Sequence, residues 1–278
     1  MSETEHISGV DPETGAWTSI QINTSVAHPA RIYNYFLGGK DNYEVDQLAA
    51  ENVLAVMPEV RAIARANRDF LGRAVRCLAQ AGIRQFLDIG TGIPGPGNTN
   101  EVAHEVAPDA RIVYVDNDPI VITHARALLS GADARRTTVI HADLREPATI
   151  LEHPQLRAVL DFDQPVAVLL VGVFHFITHA EDPKSIVEQL KAAVCPGSYV
   201  AITHATADFE PERAAEVVST YKATAPLVPR TRSEVDALFE GLEYIEPGLV
   251  QIPWWRPDRP LTTGDSKITI YGGIGYKS

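Results

Sequence analysis

The length, composition and charge of the chain exclude several classes of protein. It has 278 residues, 45% of them hydrophobic, which is enough for a sizeable core, and α/β chains of this size often form one domain. The formal net charge of −12 offers no basic surface for a phosphate backbone, so no nucleic-acid partner is expected.

No membrane, export or metal signal is found in the sequence. No run reaches the ~18 apolar residues of a membrane helix, and the first residues lack the basic flank and apolar run of a signal peptide. We therefore expect a cytoplasmic protein without a membrane partner. Cys77 and Cys195 lie in no metal-ligand spacing, so no metal site is predicted. The oligomeric state stays open.

The first predicted helices follow a polar segment. Residues 1–20 show no periodicity and are expected to be flexible. From Ala27 an aromatic-rich helix runs to Gly38 and Gly39, and a helical pattern restarts near Tyr43. The G-x-x-x-x-G-K-[ST] pattern of a phosphate loop fails here. Two interpretations stay open: a helix-turn-helix connection with a glycine C-cap, or a lid whose dense polar and aromatic groups face a ligand.

Residues 59–82 form a clear amphipathic pattern, which predicts a helix that ends at Gly82. Asn67 falls on its apolar stripe, where an unpaired amide would cost on the order of 1 to 3 kcal/mol. It therefore either caps a neighbouring backbone or faces a ligand. Arg68 beside it is either a solvated charge or a group that binds the carboxylate of a ligand.

A β-α-β unit follows. An apolar run at residues 86–89 stops at a turn containing Gly90 and Gly92, a helical stretch follows, and a β-branched run at residues 112–115 ends on Asp116. Glycines let the backbone turn sharply and come close to a ligand at the carboxyl end of the strand. A nucleotide-like ligand is predicted there.

The charges around this turn indicate which nucleotide. The spacing matches the dinucleotide pattern G-x-G-x-x-G, but Asp88 would repel a pyrophosphate, and Pro94 and Pro96 delay the helix that would receive it. S-adenosylmethionine has no phosphate and carries a sulfonium and an ammonium that a carboxylate attracts. Asp116 suits the ribose hydroxyls of either S-adenosylmethionine or NAD, so Asp88 is the discriminating residue.

The next elements extend the sheet. A helix is predicted from Pro119 to about Leu129, and a third strand at residues 138–140 precedes Asp143 and Leu144. Asp143 either accepts from an adenine amino group or caps a helix, and Leu144 can lie against the ring. Residues 166–173 are continuously apolar, as in a strand buried on both faces at the centre of a parallel sheet.

Two histidines follow strand ends. His175 comes after the central strand and His204 after the strand predicted at residues 199–203, and such ends bind the ligands of open α/β sheets. Either histidine could instead be a satisfied structural residue. An imidazole with an ordinary pKa near ~6.5 can accept a proton, so His175 is the first candidate base, with His204 and Tyr35 behind it. Further helices are predicted at residues 182–194, 211–224 and 232–239, and further strands at residues 248–252 and 267–276.

Three motifs in this order resemble those of Rossmann-like S-adenosylmethionine-dependent methyltransferases: Phe-Leu-Asp-Ile-Gly-Thr-Gly (86–92), Val-Tyr-Val-Asp-Asn-Asp-Pro (113–119) and His-Ala-Asp-Leu (141–144). The segment at residues 30–43, with its Leu-Gly-Gly-Lys-Asp-Asn stretch, and Asn67-Arg68 are similar to the N-terminal signature of a bacterial methyltransferase-like family first catalogued as a domain of unknown function. The resemblance spans roughly residues 25–276. It implies a seven-stranded, mostly parallel sheet with one antiparallel strand near the end, and a cofactor across its first three strands.

The resemblance completes the predicted organisation: a flexible segment (1–20) and one methyltransferase domain (21–278), made of a helical lid (21–80) and a Rossmann-like core (81–278). We expect methyl transfer from S-adenosylmethionine to an unidentified small-molecule oxygen or nitrogen acceptor, with S-adenosylhomocysteine as product. The alternatives are a protein that binds the cofactor for sensing or scaffolding and, less favoured, an NAD-dependent oxidoreductase. The predicted cofactor-binding residues are Asp88, Gly90, Thr91, Gly92, Asp116, Asn117, Asp143, Leu144, Gly172, Asn67, Arg68, Arg31 and Tyr33.

Overall fold

The chain begins with a hairpin that the sequence analysis did not predict. The structure is a computed structural model that describes residues 4–10, 17–128 and 136–278. Strand β1 (Thr4–Val10) pairs antiparallel with β2 (Trp17–Asn23). The polar composition gave no sign of either strand. The predicted flexibility of residues 1–20 stays a prediction, and residues 1–3 and 11–16 lie outside the described residues.

Three helices precede the sheet: α1 (Pro29–Phe36), α2 (Glu44–Val56) and α3 (Val60–Gln80). Proline stands at the first position of α1, where its missing N–H costs nothing, and the Nδ1 atom of His28 accepts from the Ala30 amide at 3.3 Å. The α3 helix confirms the amphipathic pattern read from residues 59–82. Its apolar stripe is buried against one face of the sheet.

The central sheet confirms the predicted α/β, Rossmann-like class. Its strand order is β5-β4-β3-β6-β7-β10-β8, and β9 also pairs with β10. The first five strands in this order are parallel, and β10 is antiparallel to β7. The two-residue strand β9 is the eighth, where seven were expected. The strands are β3 (Gln85–Ile89), β4 (Arg111–Asp116), β5 (Thr137–His141), β6 (Ala167–Leu170), β7 (Tyr199–Ala205), β8 (Glu243–Tyr244), β9 (Val250–Gln251) and β10 (Ile270–Tyr276).

Side chains alternate between the two faces of the sheet along each strand, and an apolar cluster covers each face. Phe86 contributes to an apolar cluster with α3, and its neighbour Leu87 to a second cluster on the opposite face. Trp255 belongs to the first cluster, with its ring edge on Phe70 at a centroid distance of 5.2 Å. The two adjacent tryptophans differ in burial: Trp255 is fully buried and Trp254 is exposed.

The remaining helices connect the strands, and most of them open with a proline. Pro119, the first residue of α5, is one example, and the predicted end of that helix at Leu129 lies outside the described residues. None of the described helices is long and apolar enough to span a membrane. The helices are α4 (Thr99–Val106), α5 (Pro119–Leu128), α6 (Pro147–Leu151), α7 (Pro154–Val159), α8 (Pro183–Ala193), α9 (Pro211–Thr220) and α10 (Arg232–Asp236).

Candidate active site

The turn after β3 has the backbone geometry that the glycine pattern predicted. Gly90 has a φ of +74°, and a Cβ added to it would lie 2.4 Å from the Val173 side chain. Gly92 has a φ of +67°, and no heavy atom of the described residues lies within 4 Å of its ideal Cβ position. Both positions require glycine, the first for close packing as well as for its φ. The following helix starts only at Thr99, as Pro94 and Pro96 indicated.

A cavity of about 540 Å³ opens beside this turn, at the carboxyl ends of strands β3 to β6. We call it the strand-end cavity. Parallel strands present their carboxyl ends at one edge of the sheet, which is why residues far apart in sequence meet here. The predicted residues that line it are Tyr33, Asn67, Arg68, Asp88, Gly90, Thr91, Gly92, Asp116, Asn117, Asp143, Leu144, Gly172 and His175.

Asp88 is a buried carboxylate at the end of β3. Its Oδ2 atom accepts from the Thr99 hydroxyl at 2.6 Å, and no cationic side chain of the described residues lies within ion-pair distance. Burial raises the pKa of Asp88 to about 6, against the opposing effects of the Thr99 hydrogen bond and the Arg68 charge. A bound cation would therefore stabilise the ionised form of this buried carboxylate, which has no ion-pair partner among the described residues.

Asp116 ends β4 and holds the glycine turn in place. Its Oδ2 atom accepts from the Gly92 amide at 2.8 Å, and its Oδ1 atom from the Asp118 amide at 2.9 Å. Burial raises the pKa of Asp116, and these two amides oppose the shift. Each carboxylate oxygen retains acceptor capacity after one hydrogen bond, so Asp116 can still accept from a diol.

Asp143 does not cap a helix, because the N-cap residue of α6 is Glu146, and its contact with adenine stays a prediction. Its Oδ1 atom accepts from the backbone amide of Arg145 at 2.9 Å in the loop after β5, and its Oδ2 atom accepts from Asn117 at 2.9 Å. Burial alone would raise its pKa, but these hydrogen bonds and the Arg145 charge lower it. Arg145 also pairs with Glu181 at 2.5 Å, and both line the cavity. The sequence analysis missed these two residues, although Arg145 directly follows Leu144.

Asn67 and Arg68 reach the cavity from α3. The Oδ1 atom of Asn67 accepts from the Thr203 hydroxyl at 2.7 Å, while its Nδ2 atom donates to the Tyr33 hydroxyl at 3.2 Å. Asn67 thus faces the cavity with its amide satisfied by side chains. Arg68 donates to Asn98 at 2.9 Å and so supports the glycine-rich loop.

Arg31 is not in the cavity wall, contrary to its prediction as a cofactor-binding residue. Its guanidinium is buried and donates to Asp118 at 3.1 Å, and it lies 3.6 Å from the buried Asp46. The Nδ1 atom of His28 is 3.0 Å from the same Asp118 carboxylate. This cluster attaches the start of α1 to the loop after β4, and cofactor binding by Arg31 stays a prediction.

A second, smaller cavity of about 120 Å³ lies between α1, α2, α3 and α9. None of its described lining residues carries a formal charge, and we call it the apolar cavity. Four aromatic side chains contribute to its wall: Tyr33, Phe36, Phe176 and Tyr221. The two cavities share six lining residues, which are Pro29, Tyr33, Asn67, Gly172, His175 and Phe176.

His175 stands at this shared wall, in the one-turn helix that follows β6. Its Nδ1 atom is buried and has no hydrogen-bond partner among the described residues. Burial, together with His204 and Arg230 nearby, lowers the pKa of His175 to about 3. The expectation of an ordinary pKa is therefore corrected: the imidazole is neutral throughout the physiological range and is a weak base.

His204 and Tyr35, the other two candidate bases, lie in neither cavity wall. His204 is fully buried, where its Nδ1 atom is 2.8 Å from the Ala205 carbonyl and its Nε2 atom is 2.8 Å from Arg230. Burial lowers the pKa of His204 to about 4, which suits an imidazole that accepts from Arg230. Tyr35 directs its hydroxyl to Glu51. Their contacts are those of structural residues, and a role of either as a base stays a prediction.

The Leu-Gly-Gly-Lys-Asp-Asn stretch forms a turn between α1 and α2 that is stabilised by its own contacts. The Oδ1 atom of Asn34 accepts from the Asp41 amide at 3.1 Å and from Asn42 at 2.8 Å. A Cβ on Gly39 would lie 2.3 Å from the Asn34 side chain, so any larger residue here would displace Asn34 from these hydrogen bonds. No residue of the stretch lines either cavity. The turn supports α1, and α1 itself forms the cavity walls.

Comparison with known proteins agrees with this geometry. The sequence profile of the family described as S-adenosyl methyltransferase matches residues 15–278. A DUF574 family protein from Streptomyces avermitilis is 44% identical, over 92% of this chain and 99% of its own, with a TM-score of 0.87. A protein described as a candidate methyltransferase from Thermobifida fusca is 39% identical, over 91% of this chain and 96% of its own, with a TM-score of 0.85.

A more distant structure shows the fold alone. An O-methyltransferase family protein from Burkholderia thailandensis has a TM-score of 0.50 at 15% identity, over 88% of this chain and 64% of its own. A search of curated proteins found no match. The family profile covers nearly the whole chain, and the described cavity carries the carboxylates and glycines that its cofactor needs. The chain therefore belongs to the S-adenosyl methyltransferase family, and its cofactor is S-adenosylmethionine.

Proposed function

We propose that this protein transfers the methyl group of S-adenosylmethionine to an oxygen or nitrogen atom of a small molecule bound in the apolar cavity. The observation that carries the proposal is the position of His175, which lines both cavities and presents an unpaired buried Nδ1 atom. A cofactor in one cavity and an acceptor in the other would meet beside this side chain.

The strand-end cavity fits the cofactor by charge and by shape. Asp88 offers a buried carboxylate to a cationic group, Asp116 offers acceptor capacity to the ribose, and Asp143 with Leu144 offers a polar edge and an apolar surface to the adenine. Gly92 leaves open space where any side chain would intrude. When bound, S-adenosylmethionine supplies a methyl group on a sulfonium, whose C–S bond breaks with its electron pair on sulfur as the acceptor atom bonds to carbon.

His175 holds and receives the acceptor proton at Nδ1 in this proposal. A neutral imidazole accepts a hydrogen bond from the hydroxyl or amine of the methyl acceptor. This hydrogen bond orients the lone pair of the acceptor's oxygen or nitrogen atom. On an oxygen acceptor the proton becomes strongly acidic as the new C–O bond forms, so an imidazole with a pKa of about 3 is basic enough to take it late in the transfer. An amine acceptor would instead keep its proton as an ammonium, and His175 would then orient it without accepting the proton. Burial of Nδ1 keeps competing water away from the acceptor.

Helix α1 acts as the lid of the site. Tyr33 and Pro29 line both cavities, and the backbone carbonyl of Ala27 accepts from the Thr224 amide at 2.9 Å, across the site. Because Ile32 and Phe36 are also part of the apolar core, deleting residues 1–45 would expose that core as well as the ligand. Point variants therefore test the lid better than truncation.

Two measurements test the proposal. Calorimetry with S-adenosylhomocysteine and with NADH should show saturable binding of the first alone, and the reverse result would contradict the cofactor assignment. Incubation of the protein with labelled S-adenosylmethionine and a metabolite extract should then give a labelled small molecule. Binding without any labelled product would favour the sensing or scaffolding alternative.

A further inference from the structure

Two residues in the wall of the apolar cavity carry a buried polar atom without a hydrogen-bond partner. Among the buried side-chain atoms of the described residues, four lack a hydrogen-bond partner, and two of these four belong to residues in the cavity wall: Nδ1 of His175 and the hydroxyl of Tyr221. An unpaired buried polar atom costs about 1 to 3 kcal/mol. Such a cost at two positions of one cavity points to a ligand that pairs both atoms.

The rings that carry the two unpaired atoms pack against the same aromatic side chain. The Phe176 ring contacts both, with its centroid 4.4 Å from that of His175 and 5.9 Å from that of Tyr221. The other polar side chains at the shared wall already have partners, since Asn67 and Tyr33 bond to each other and to neighbouring residues. The ligand thus has two polar positions to satisfy, one near the cofactor and one deeper among the helices.

The rest of the wall defines the other properties of this ligand. No described lining residue is charged, so an anionic or cationic ligand would lose its hydration without a compensating partner. An engineered cavity of ~150 Å³ holds one benzene molecule, so a volume of about 120 Å³ suits a single six-membered ring. Burial raises the pKa of Tyr221 well above its ordinary value, which keeps the hydroxyl a donor.

Resting on the proposed function, we infer that the acceptor is a neutral, one-ring molecule of phenol type with polar groups at opposite ends. One group, the methyl acceptor, faces Nδ1 of His175, and the other accepts a hydrogen bond from Tyr221. The aromatic and aliphatic wall excludes charged analogues of the same size.

Calorimetric titrations into the full chain saturated with S-adenosylhomocysteine test this inference. The probes are hydroquinone, phenol and 4-hydroxybenzoate, which differ in the group opposite one hydroxyl. We expect hydroquinone to bind best, phenol about 3-fold to 10-fold more weakly, and the anionic benzoate least. Tighter binding of 4-hydroxybenzoate than of phenol would overturn the neutral character of the site. Absence of binding by all three, with S-adenosylhomocysteine still bound, would overturn the inference and leave the proposed function standing.

The variant Tyr221→Phe isolates the deeper group. It should weaken hydroquinone binding by about 3-fold to 10-fold, leave phenol and S-adenosylhomocysteine binding unchanged, and keep or raise the melting temperature, because an unpaired hydroxyl is removed. The control Tyr244→Phe makes the same chemical change where the hydroxyl donates to Asp236 at 2.8 Å, outside both cavities, and should leave binding of every probe unchanged. Equal hydroquinone affinity of wild type and Tyr221→Phe, or a lower melting temperature of this variant without ligand, would overturn the role of Tyr221.

Discussion

The two cavities meet at six residues and yet offer opposite kinds of recognition. The strand-end cavity is lined by carboxylates and by an open glycine turn, all at the ends of strands, where backbone amides hold the side chains in place. The apolar cavity is bounded mainly by helices and its described wall is uncharged. The strand ends thus place charged side chains at fixed positions in one cavity, while the helices form the uncharged wall of the other. This difference would be sufficient to direct a cationic cofactor to one cavity and the neutral acceptor inferred above to the other.

Removing the ribose carboxylate should have the largest effect on the strand-end cavity. Asp116→Ala loses two predicted hydrogen bonds to the ribose and the anchor of the Gly92 amide, so S-adenosylhomocysteine affinity should fall roughly 30-fold to 1,000-fold by calorimetry. The control Asp109→Ala removes an exposed carboxylate that pairs with Arg84 and should bind normally. Normal binding by a folded Asp116→Ala protein would refute the assignment.

Removing the imidazole at the shared wall should slow methyl transfer without weakening cofactor binding. Once an acceptor is known, His175→Ala should lower kcat about 100-fold with nearly unchanged cofactor affinity, because the proposal places the acceptor, and not the cofactor, at the buried, unpaired Nδ1 atom. The pKa of His175 is depressed to about 3, so wild-type kcat should show no loss attributable to this group between pH 5 and 8. An unchanged kcat would make His175 structural, and a parallel loss of cofactor binding would assign it to the cofactor.

Neutralising Asp88 should lower the affinity for the cofactor and raise the free energy of unfolding at pH 8. Its raised pKa means that folding is favoured by the protonated form: this contribution is fully present below the unfolded pKa near 3.8 and is lost as pH rises through about 6. Asp88→Asn should therefore be more stable than wild type by about 1 to 3 kcal/mol at pH 8, and should bind S-adenosylmethionine about 10-fold more weakly. Urea unfolding at pH 4 and pH 8 checks the sign. A variant that is less stable than wild type at pH 8 would contradict this account.

The hydrogen-bond network at the shared wall should have the smallest effect on binding. The Thr203 hydroxyl donates to Asn67 and accepts from the Gly172 amide at 2.8 Å. Thr203→Val leaves both groups unpaired and should lower the free energy of unfolding by about 1 to 3 kcal/mol, with only a few-fold loss of cofactor affinity. Thr203→Ser keeps the hydroxyl and serves as the matched control. Equal stability of the valine and serine variants would show that the network is not stabilising.

The strand-end cavity could be predicted from the sequence because its residues follow strands. Each of Asp88, Asp116 and Asp143 comes at or directly after an apolar run, and parallel strands present such positions at one edge. Local pattern and fold class were sufficient to place them. The same reasoning placed His175 at the site but gave it the wrong pKa, because its burial depends on helices that are distant in sequence.

The apolar cavity could not be predicted, because no short segment contains it. Met57 in the segment after α2, Val217 in α9 and Leu227 in a later loop meet only through tertiary packing. The contacts of Arg31 and His204 could not be predicted for the same reason. Their partners Asp118 and Arg230 are separated from them by 87 and 26 residues, and no local pattern relates them. The hairpin at the start gave no apolar alternation to detect.

The shared wall also has a thermodynamic consequence. Because the same six residues line both cavities, a ligand that orders Tyr33, Asn67 or His175 from one side changes the surface that a ligand on the other side contacts. Coupling of this kind is reciprocal. The factor by which bound cofactor changes the affinity for the acceptor equals the factor by which bound acceptor changes the affinity for the cofactor. After turnover the methylated product and S-adenosylhomocysteine border the same wall. Calorimetric titration of S-adenosylhomocysteine with and without the methylated product therefore reports the sign of this coupling.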